Sequence, residues 1–119
     1  MATIDLTGAD FEQTVIDNEI VLVDFWADWC GPCKQFAPTY SAVSEKHSDI
    51  VFGKVDTEAE QQLAAAASIR SIPTIMAFKG GHLVYNEAGA LPPQALESLI
   101  EQIKALDVEK ALRESGQAE

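Results

Sequence analysis

The sequence has 119 residues, of which 47% are hydrophobic, and its 19 acidic and 8 basic side chains give a formal net charge of -11. This length suits one domain with a single core, and the negative charge argues against a nucleic-acid-binding surface, which needs basic side chains. Residues 1–6 have no basic segment followed by an apolar one, and no apolar run approaches membrane-spanning length, so we expect a cytosolic protein without signal peptide or membrane anchor.

The first part of the chain is predicted to form a strand, a helix and a second strand. Residues 2–6 alternate apolar and polar side chains, as a short strand does, and Thr7 is expected to cap a short helix. Residues 20–26 form a run of β-branched and aromatic side chains that is too continuous for a half-exposed strand. We therefore place this run in the middle of a sheet that is covered on both faces.

Asp24 interrupts that run and is the most informative single charge in the sequence. Its apolar neighbours on both sides predict a buried carboxylate. Burial would raise its pKa toward the range that is useful for proton transfer. The alternative is a residue near the end of the strand whose carboxylate reaches water.

Two cysteines, Cys30 and Cys33, follow this strand and stand at the start of a predicted helix. Thiols separated by two residues can close a small disulfide ring with little backbone movement, and the unpaired N–H groups of a helix start favour a thiolate. We therefore expect Cys30 to be the exposed nucleophile. Cys33, one turn inside the helix on its covered side, is expected to resolve the mixed disulfide that Cys30 forms.

Two other kinds of cysteine pair, a zinc site and a structural disulfide, fit this sequence less well than a redox pair. A zinc site needs about four ligands, but the sequence has no third cysteine, and His47 and His82 are too far apart for the histidine pair of a zinc finger. A structural disulfide is disfavoured because a chain of this size can build its own core and so small a ring constrains little of the unfolded state. Redox chemistry is the favoured interpretation, and no metal is expected.

The rest of the chain is predicted to alternate helices and strands. Helical spacing of apolar residues and good helix formers predict helices, while apolar runs and a glycine-rich turn predict strands and a hairpin. The predicted elements are a helix from about residue 34, a strand at 51–56, a helix at 60–67, a strand at 75–78, a turn at 79–82, a strand at 83–85 and a helix opened by Pro92 and Pro93. Most acidic residues, among them Glu45, Glu58, Glu60 and Glu101, are expected on a solvated face.

The stretch from Phe25 to Lys34, centred on Trp29-Cys30-Gly31-Pro32-Cys33, resembles the active site of the thioredoxin family. The Gly-Pro pair is the discriminating part, since oxidising and isomerising relatives carry a His in that gap and glutaredoxins a Pro-Tyr. The resemblance covers residues 1–106 and implies an α/β thioredoxin fold, with a central mixed β-sheet flanked by helices on both faces.

The resemblance also implies an activity and its partners. The chain would be a monomer that reduces disulfides of target proteins through Cys30 and Cys33. It would hold no cofactor, and NADPH would recharge its redox-active disulfide through a flavin-containing thioredoxin reductase.

Further residues receive roles from the same resemblance. It implies that Asp24 is a buried acid that takes or relays the proton of Cys33. It places Lys54 near that acid, where it could pair with Asp24 and lower its pKa; a strand-end lysine that reaches solvent is the alternative. Gly31 and Pro32 belong to the redox loop.

A second group of residues is expected to bind the target. Trp29 would lie over the dithiol at the contact surface. The resemblance implies a cis Pro73 that faces the dithiol, with Ile72 offering strand-like main-chain hydrogen bonds to an extended segment of the target. Gly89 would leave room for the partner.

The resemblance ends near Leu106 and leaves a C-terminal extension, residues 107–119. Asp107 could cap a short helix there, with Val108, Ala111 and Leu112 as a small apolar face. This extension supports a rival interpretation, a thioredoxin-like binding module that docks one dedicated partner around Trp29, with the redox step incidental.

Overall fold

A computed structural model describes residues 2–114; Met1 and the last five residues of the extension, 115–119, lie outside the described range. The strands are β1 (Thr3–Asp5), β2 (Ile20–Trp26), β3 (Val51–Asp56), β4 (Thr74–Lys79) and β5 (His82–Ala88). The helices are α1 (Phe11–Asp17), α2 (Gly31–Ser44), α3 (Gln61–Ala66), α4 (Pro93–Ala105) and α5 (Val108–Glu114). None of the helices in residues 2–114 has both the length and the apolar character needed to cross a bilayer.

The strands form one mixed sheet with β2 at its centre. Their order is β1-β3-β2-β4-β5, in which β3 runs parallel to β1 and β2 while β4 runs antiparallel to β2 and β5. Every residue from Ile20 to Phe25 is buried. The predicted central strand is therefore confirmed, because a strand covered on both faces has no polar side.

Helices cover both faces of the sheet and give the domain two apolar layers. On one face, α2 and α4 pack on the sheet through Phe36, Tyr40, Leu96 and Ile100, among others. On the other face, Val15 of α1 and Leu63 of α3 pack against β2, β3 and β4. This arrangement presents the start of α2 at the edge of the domain where β2 ends.

Two helices begin at residues other than those predicted. Thr7 does not cap α1, which starts at Phe11; the Thr7 N–H instead donates to Asp10 Oδ1 at 2.7 Å, and residues 7–10 form a turn before the helix. Helix α2 begins at Gly31, three residues earlier than predicted, with Cys30 in the cap position. Pro32 accounts for the early start because its fixed φ suits the first turn and its missing N–H has no partner to lose there.

A lysine from the sheet closes the C-terminal end of α4. Lys79 Nζ on β4 donates to the carbonyl oxygens of Ile103 (2.8 Å), Lys104 (3.0 Å) and Leu106 (2.7 Å). Carbonyls in the last turn of a helix lack hydrogen-bond donors within the helix, and a cation there is also favoured by the helix dipole.

The chain then enters α5, where Asp107 Oδ1 accepts the Lys110 N–H at 3.0 Å. Within the extension, residues Val108–Glu114 are helical.

We expect Lys79→Met to lower the free energy of unfolding by about 1–3 kcal/mol, because three carbonyl acceptors lose a charged donor while the apolar stem is kept. Urea unfolding of the oxidised proteins measures the change. Lys110→Met is the matched control, since that side chain is exposed. Equal losses in the two variants would contradict the capping role of Lys79.

Candidate active site

Cys30 and Cys33 form a disulfide at the N-terminus of α2, with Cα atoms 5.3 Å apart. Cys30 occupies the cap position, and the backbone N–H of Cys33 donates toward Cys30 Sγ at an N···S distance of 3.2 Å. An N–H in that position stabilises a thiolate, and the dipole of a 14-residue helix adds to the effect. The local structure therefore favours charge on Cys30 once the disulfide is reduced.

The expected difference in exposure between the two cysteines is wrong for this oxidised form. Cys30 is 3% exposed and Cys33 is 2% exposed. Both pack with Ala27 and with the partly buried Trp26 and Ile72. Cys30 differs from Cys33 in its position, because it lies at the cap of α2 and beside a groove lined by Trp29 and Ile72.

The residues predicted to bind the target lie beside Cys30. The Ile72–Pro73 peptide bond is cis, as the resemblance implied, and the Ile72 carbonyl oxygen lies 3.7 Å from Cys30 Sγ. The Gly89 N–H donates to the Pro73 carbonyl at 2.7 Å. Gly89 has a φ of +114°, which favours glycine, and the space where a side chain would begin has no atom within 4 Å.

A groove of about 400 Å³ opens between Trp29 and Ile72. Its other walls come from the loop after β3, from α3 and from the segment before Pro73; the lining residues are Trp29, Thr57, Ala64, Ile69, Arg70, Ser71 and Ile72. Trp29 is exposed, as predicted, and its Nε1–H donates to Glu58 Oε2 at 3.3 Å. Ile72, whose carbonyl oxygen lies 3.7 Å from Cys30 Sγ, connects this groove to the disulfide.

Glu58 and Arg70 are two residues of this surface to which sequence analysis gave no role. Glu58 is exposed, which agrees with its predicted position on a solvated face, and its carboxylate accepts a hydrogen bond from the indole N–H of Trp29. The indole N–H of tryptophan is a donor only, and nothing in the sequence says which of the many carboxylates accepts from it. Arg70 had a usable signal, since it lies two residues before Ile72 in a chain with few cations.

Asp24 is fully buried, which confirms the prediction made from its apolar neighbours. Within residues 2–114 neither of its carboxylate oxygens has a hydrogen-bond partner. Burial raises the pKa of Asp24 from 3.8 to about 7, and the positive charge of Lys54 offsets part of that rise. A carboxyl group with this pKa can both accept and donate a proton near neutral pH.

Lys54 lowers the pKa of Asp24 without contacting it. The two residues are register partners across β2 and β3, but Lys54 Nζ lies over the ring of Trp26, 4.9 Å from its centroid. The aromatic face attracts the ammonium group and draws it away from the carboxylate. Among the described residues, Trp26 Nε1 is a further buried polar atom without a hydrogen-bond partner.

Comparison with known proteins gives consistent matches over most of the chain. The sequence model of one family, described as "Thioredoxin", matches residues 2–102. The chain is 52% identical over 109 residues to "Putative thioredoxin 2" of Streptomyces coelicolor, covering 92% of this chain and 81% of that protein. It is 45% identical over 102 residues to "Thioredoxin" of Porphyra purpurea, covering 84% and 95%. A solved structure of Plasmodium falciparum thioredoxin matches with a TM-score of 0.77 at 39% identity, covering 84% of this chain and 97% of that one.

The chain combines a five-stranded mixed sheet, flanked by helices, with a disulfide at the start of α2. These two features define the class of thiol-disulfide oxidoreductases that are built on this α/β fold. The chain belongs to the thioredoxin family. Its activity is the reduction of protein disulfides through the redox-active Cys30–Cys33 pair.

Proposed function

We propose that this chain carries electrons from NADPH, through a flavin-containing thioredoxin reductase, to disulfides of target proteins, and that it works as a monomer in the cytoplasm. The observation that carries the proposal is the position of Cys30 Sγ, 3.7 Å from the Ile72 carbonyl beside an open groove. A dithiol that must return to its reduced form needs a reducing compartment and a supply of reductant.

The proposed reaction has two steps of thiol-disulfide exchange. The Cys30 thiolate attacks one sulfur of the target disulfide, the target S–S bond breaks, and the departing target sulfur takes a proton. Cys33 then passes its proton to the Asp24 carboxylate and attacks Cys30 Sγ, and the bond between Cys30 and the target sulfur breaks. The second target sulfur departs with the electron pair and takes a proton from solvent, and Asp24 gives its proton back to solvent. The target gains two electrons and two protons, and the Cys30–Cys33 disulfide re-forms.

The groove is proposed to hold the target in an extended conformation. The main chain at Ile72 offers strand-like hydrogen bonds that read little sequence, so many targets would fit. The exposed Trp29 and the partly buried Ile69 supply apolar contact, while the open side of Gly89 leaves room for the target backbone beside Pro73. Pro32 fixes the turn between the cysteines so that both sulfurs stay within bonding reach.

A coupled assay tests the electron path. We expect NADPH oxidation when the chain, insulin and a flavin-containing thioredoxin reductase are combined, with one NADPH consumed for each insulin disulfide reduced. Leaving out the chain should stop the reaction. Absence of reductase-dependent NADPH oxidation, in a chain that still reduces insulin with dithiothreitol, would contradict the proposed reductase while leaving the disulfide reductase activity intact.

Deleting the residues after Leu106 is expected to leave insulin reduction within about twofold of the parent. Every proposed site residue precedes the cut, and the three carbonyl acceptors of Lys79 are retained. The free energy of unfolding should fall by less than about 1 kcal/mol, since surface changes of this kind have small effects. The assay is insulin turbidity with dithiothreitol. A loss of tenfold or more would favour a binding module whose working surface includes the extension.

A further inference from the structure

Three ionisable side chains, Glu97, His47 and Lys104, form a row of contacts near the end of α2 that is remote from the disulfide. Glu97 Oε1 on α4 is 2.7 Å from His47 Nε2, and His47 Nδ1 is 3.2 Å from Lys104 Nζ in the last turn of α4. Helix α2 has 14 residues, so the cluster lies roughly 20 Å along the helix from Cys30. It therefore takes no part in the disulfide exchange.

The hydrogen bonds fix the tautomer of His47. A lysine ammonium group only donates, so Nδ1 must be the unprotonated nitrogen that accepts from Lys104. The proton of the neutral ring then lies on Nε2 and is donated to the Glu97 carboxylate. This is the order of nucleophile, base and orienting carboxylate that activates nucleophiles in enzymes.

Burial differs among the members in a way that suits a reaction at Lys104. The His47 side chain is 9% exposed, which keeps the ring fixed between α4 and Phe52. The Lys104 side chain is 32% exposed, so its amine can meet a small reagent from solvent. The cluster thus has a buried base and a reachable nucleophile.

We propose that Lys104 is an acyl-acceptor site that reacts with acyl phosphates, with His47 as the general base. The ammonium group of Lys104 first loses one proton to solvent. The neutral amine then attacks the carbonyl carbon, a C–N bond forms, and an N–H proton of that nitrogen passes to His47 Nδ1. Glu97 stabilises the imidazolium that results. The C–O bond to phosphate breaks, phosphate departs with the electron pair, and His47 returns its proton to phosphate or water. The product is an uncharged amide on Lys104.

Asp49 opposes this reaction and supplies a further test of it. Its Oδ2 lies 3.4 Å from Lys104 Nζ and favours the ammonium form, which is not nucleophilic. The Asp49 carboxylate is largely exposed, so solvent weakens that attraction. Asp49→Asn is therefore expected to speed acylation of Lys104 by about twofold to threefold.

Lys46 is the internal control for the role of His47. Its Nζ lies 3.9 Å from Oε2 of the same Glu97, and its side chain is 70% exposed. The single free lone pair of the neutral His47 ring is directed at Lys104 and not at Lys46. If exposure alone set the rate, Lys46 would be acylated faster than Lys104. With His47 as the general base, Lys104 is acylated faster than Lys46.

The experiment incubates the oxidised full-length protein with acetyl phosphate and follows each lysine by mass spectrometry of chymotryptic peptides. We expect Lys104 to be acetylated about tenfold faster than Lys46, an effect below the usual range for a positioned base because nothing else in the cluster binds the reagent. His47→Gln should reduce the Lys104 rate to that of Lys46 or below it and leave the Lys46 rate unchanged.

Glu97→Gln keeps a hydrogen-bond acceptor for His47 and should slow the acetylation of Lys104 by about threefold. This variant tests the role of the cluster even if the His47 variant fails to fold. Insulin reduction by each variant reports that the fold is intact and is expected to stay at the parent level. A Lys104 rate at or below that of Lys46 in the parent would overturn the proposal. So would a Lys104 rate that neither His47→Gln nor Glu97→Gln changes.

Discussion

Cys30→Ser is expected to abolish disulfide reduction, whereas Cys33→Ser is expected to leave a chain that attacks its targets and stays covalently attached to them. Cys30 lies at the cap of α2, where the Cys33 N–H points at its sulfur 3.2 Å away, and beside the groove. A serine at position 30 leaves no thiolate there to begin exchange. A serine at position 33 leaves nothing to resolve the mixed disulfide.

Mass spectrometry after mixing each variant with a disulfide-containing protein distinguishes the two outcomes. The Cys33→Ser variant should gain the mass of the target and lose it again on addition of dithiothreitol. The double variant, with serine at both positions, is the matched control and should remain free. Equal trapping by the two single variants would contradict the assignment of Cys30 as the nucleophile.

Asp24→Asn is expected to make the oxidised protein more stable at neutral and alkaline pH and slower in turnover. The folded-state pKa of Asp24 is raised from 3.8 to about 7, chiefly because burial disfavours the charge. For a group whose folded pKa is raised, stability is fully present below pH of about 4 and is lost as the pH rises through about 7. The ionised carboxylate therefore destabilises the parent at pH 8.

The size of the gain follows from that pKa. A rise of this size corresponds to about 4 kcal/mol at high pH, at about 1.4 kcal/mol for each pKa unit. The asparagine amide would occupy the same site, where the carboxylate oxygens have no partner within residues 2–114, and its burial offsets part of the gain. We expect the variant to be more stable by about 1–3 kcal/mol at pH 8, with a smaller difference at pH 5.

Urea unfolding at the two pH values measures the stability, and Asp28→Asn, which removes an exposed carboxylate, is the control for lost charge. Single-turnover reduction of insulin measures the function. Near neutral pH the Asp24 variant should resolve mixed disulfides more slowly than the parent. The difference in rate between the two proteins should become smaller at alkaline pH, because solvent then deprotonates Cys33. Unchanged stability at pH 8 together with an unchanged rate would show that Asp24 has no part in either property.

The parts of the fold that sequence could predict are those encoded by neighbouring residues. The apolar run at 20–26 predicted a covered central strand, and the charge inside it predicted a buried acid; both are confirmed. The position of Pro93 at the start of α4 follows from the same local chemistry. The prediction that Thr7 caps α1 was wrong, because Asp10 lies closer to the first turn of α1 and takes the cap position.

Contacts between distant segments could not be predicted in this way. Glu58 meets Trp29 across 29 positions and His47 meets Glu97 across 50, and no periodic pattern specifies such pairs. The burial of Cys30 depends on Ile72, 42 residues away, which packs against the closed disulfide ring. The site residues that the family resemblance implied came from its motifs, whereas their distances and exposures required the folded chain.

The Cys30–Cys33 dithiol is expected to reduce protein disulfides by itself, and a stoichiometric transfer tests this without any other enzyme. Prereduced protein, freed of small thiols, is mixed with insulin under argon, quenched with an alkylating reagent and analysed by mass spectrometry. We expect that each chain which loses its two alkylatable thiols produces two new thiols on insulin. Insulin that stays oxidised while Cys30 and Cys33 remain alkylatable would contradict it.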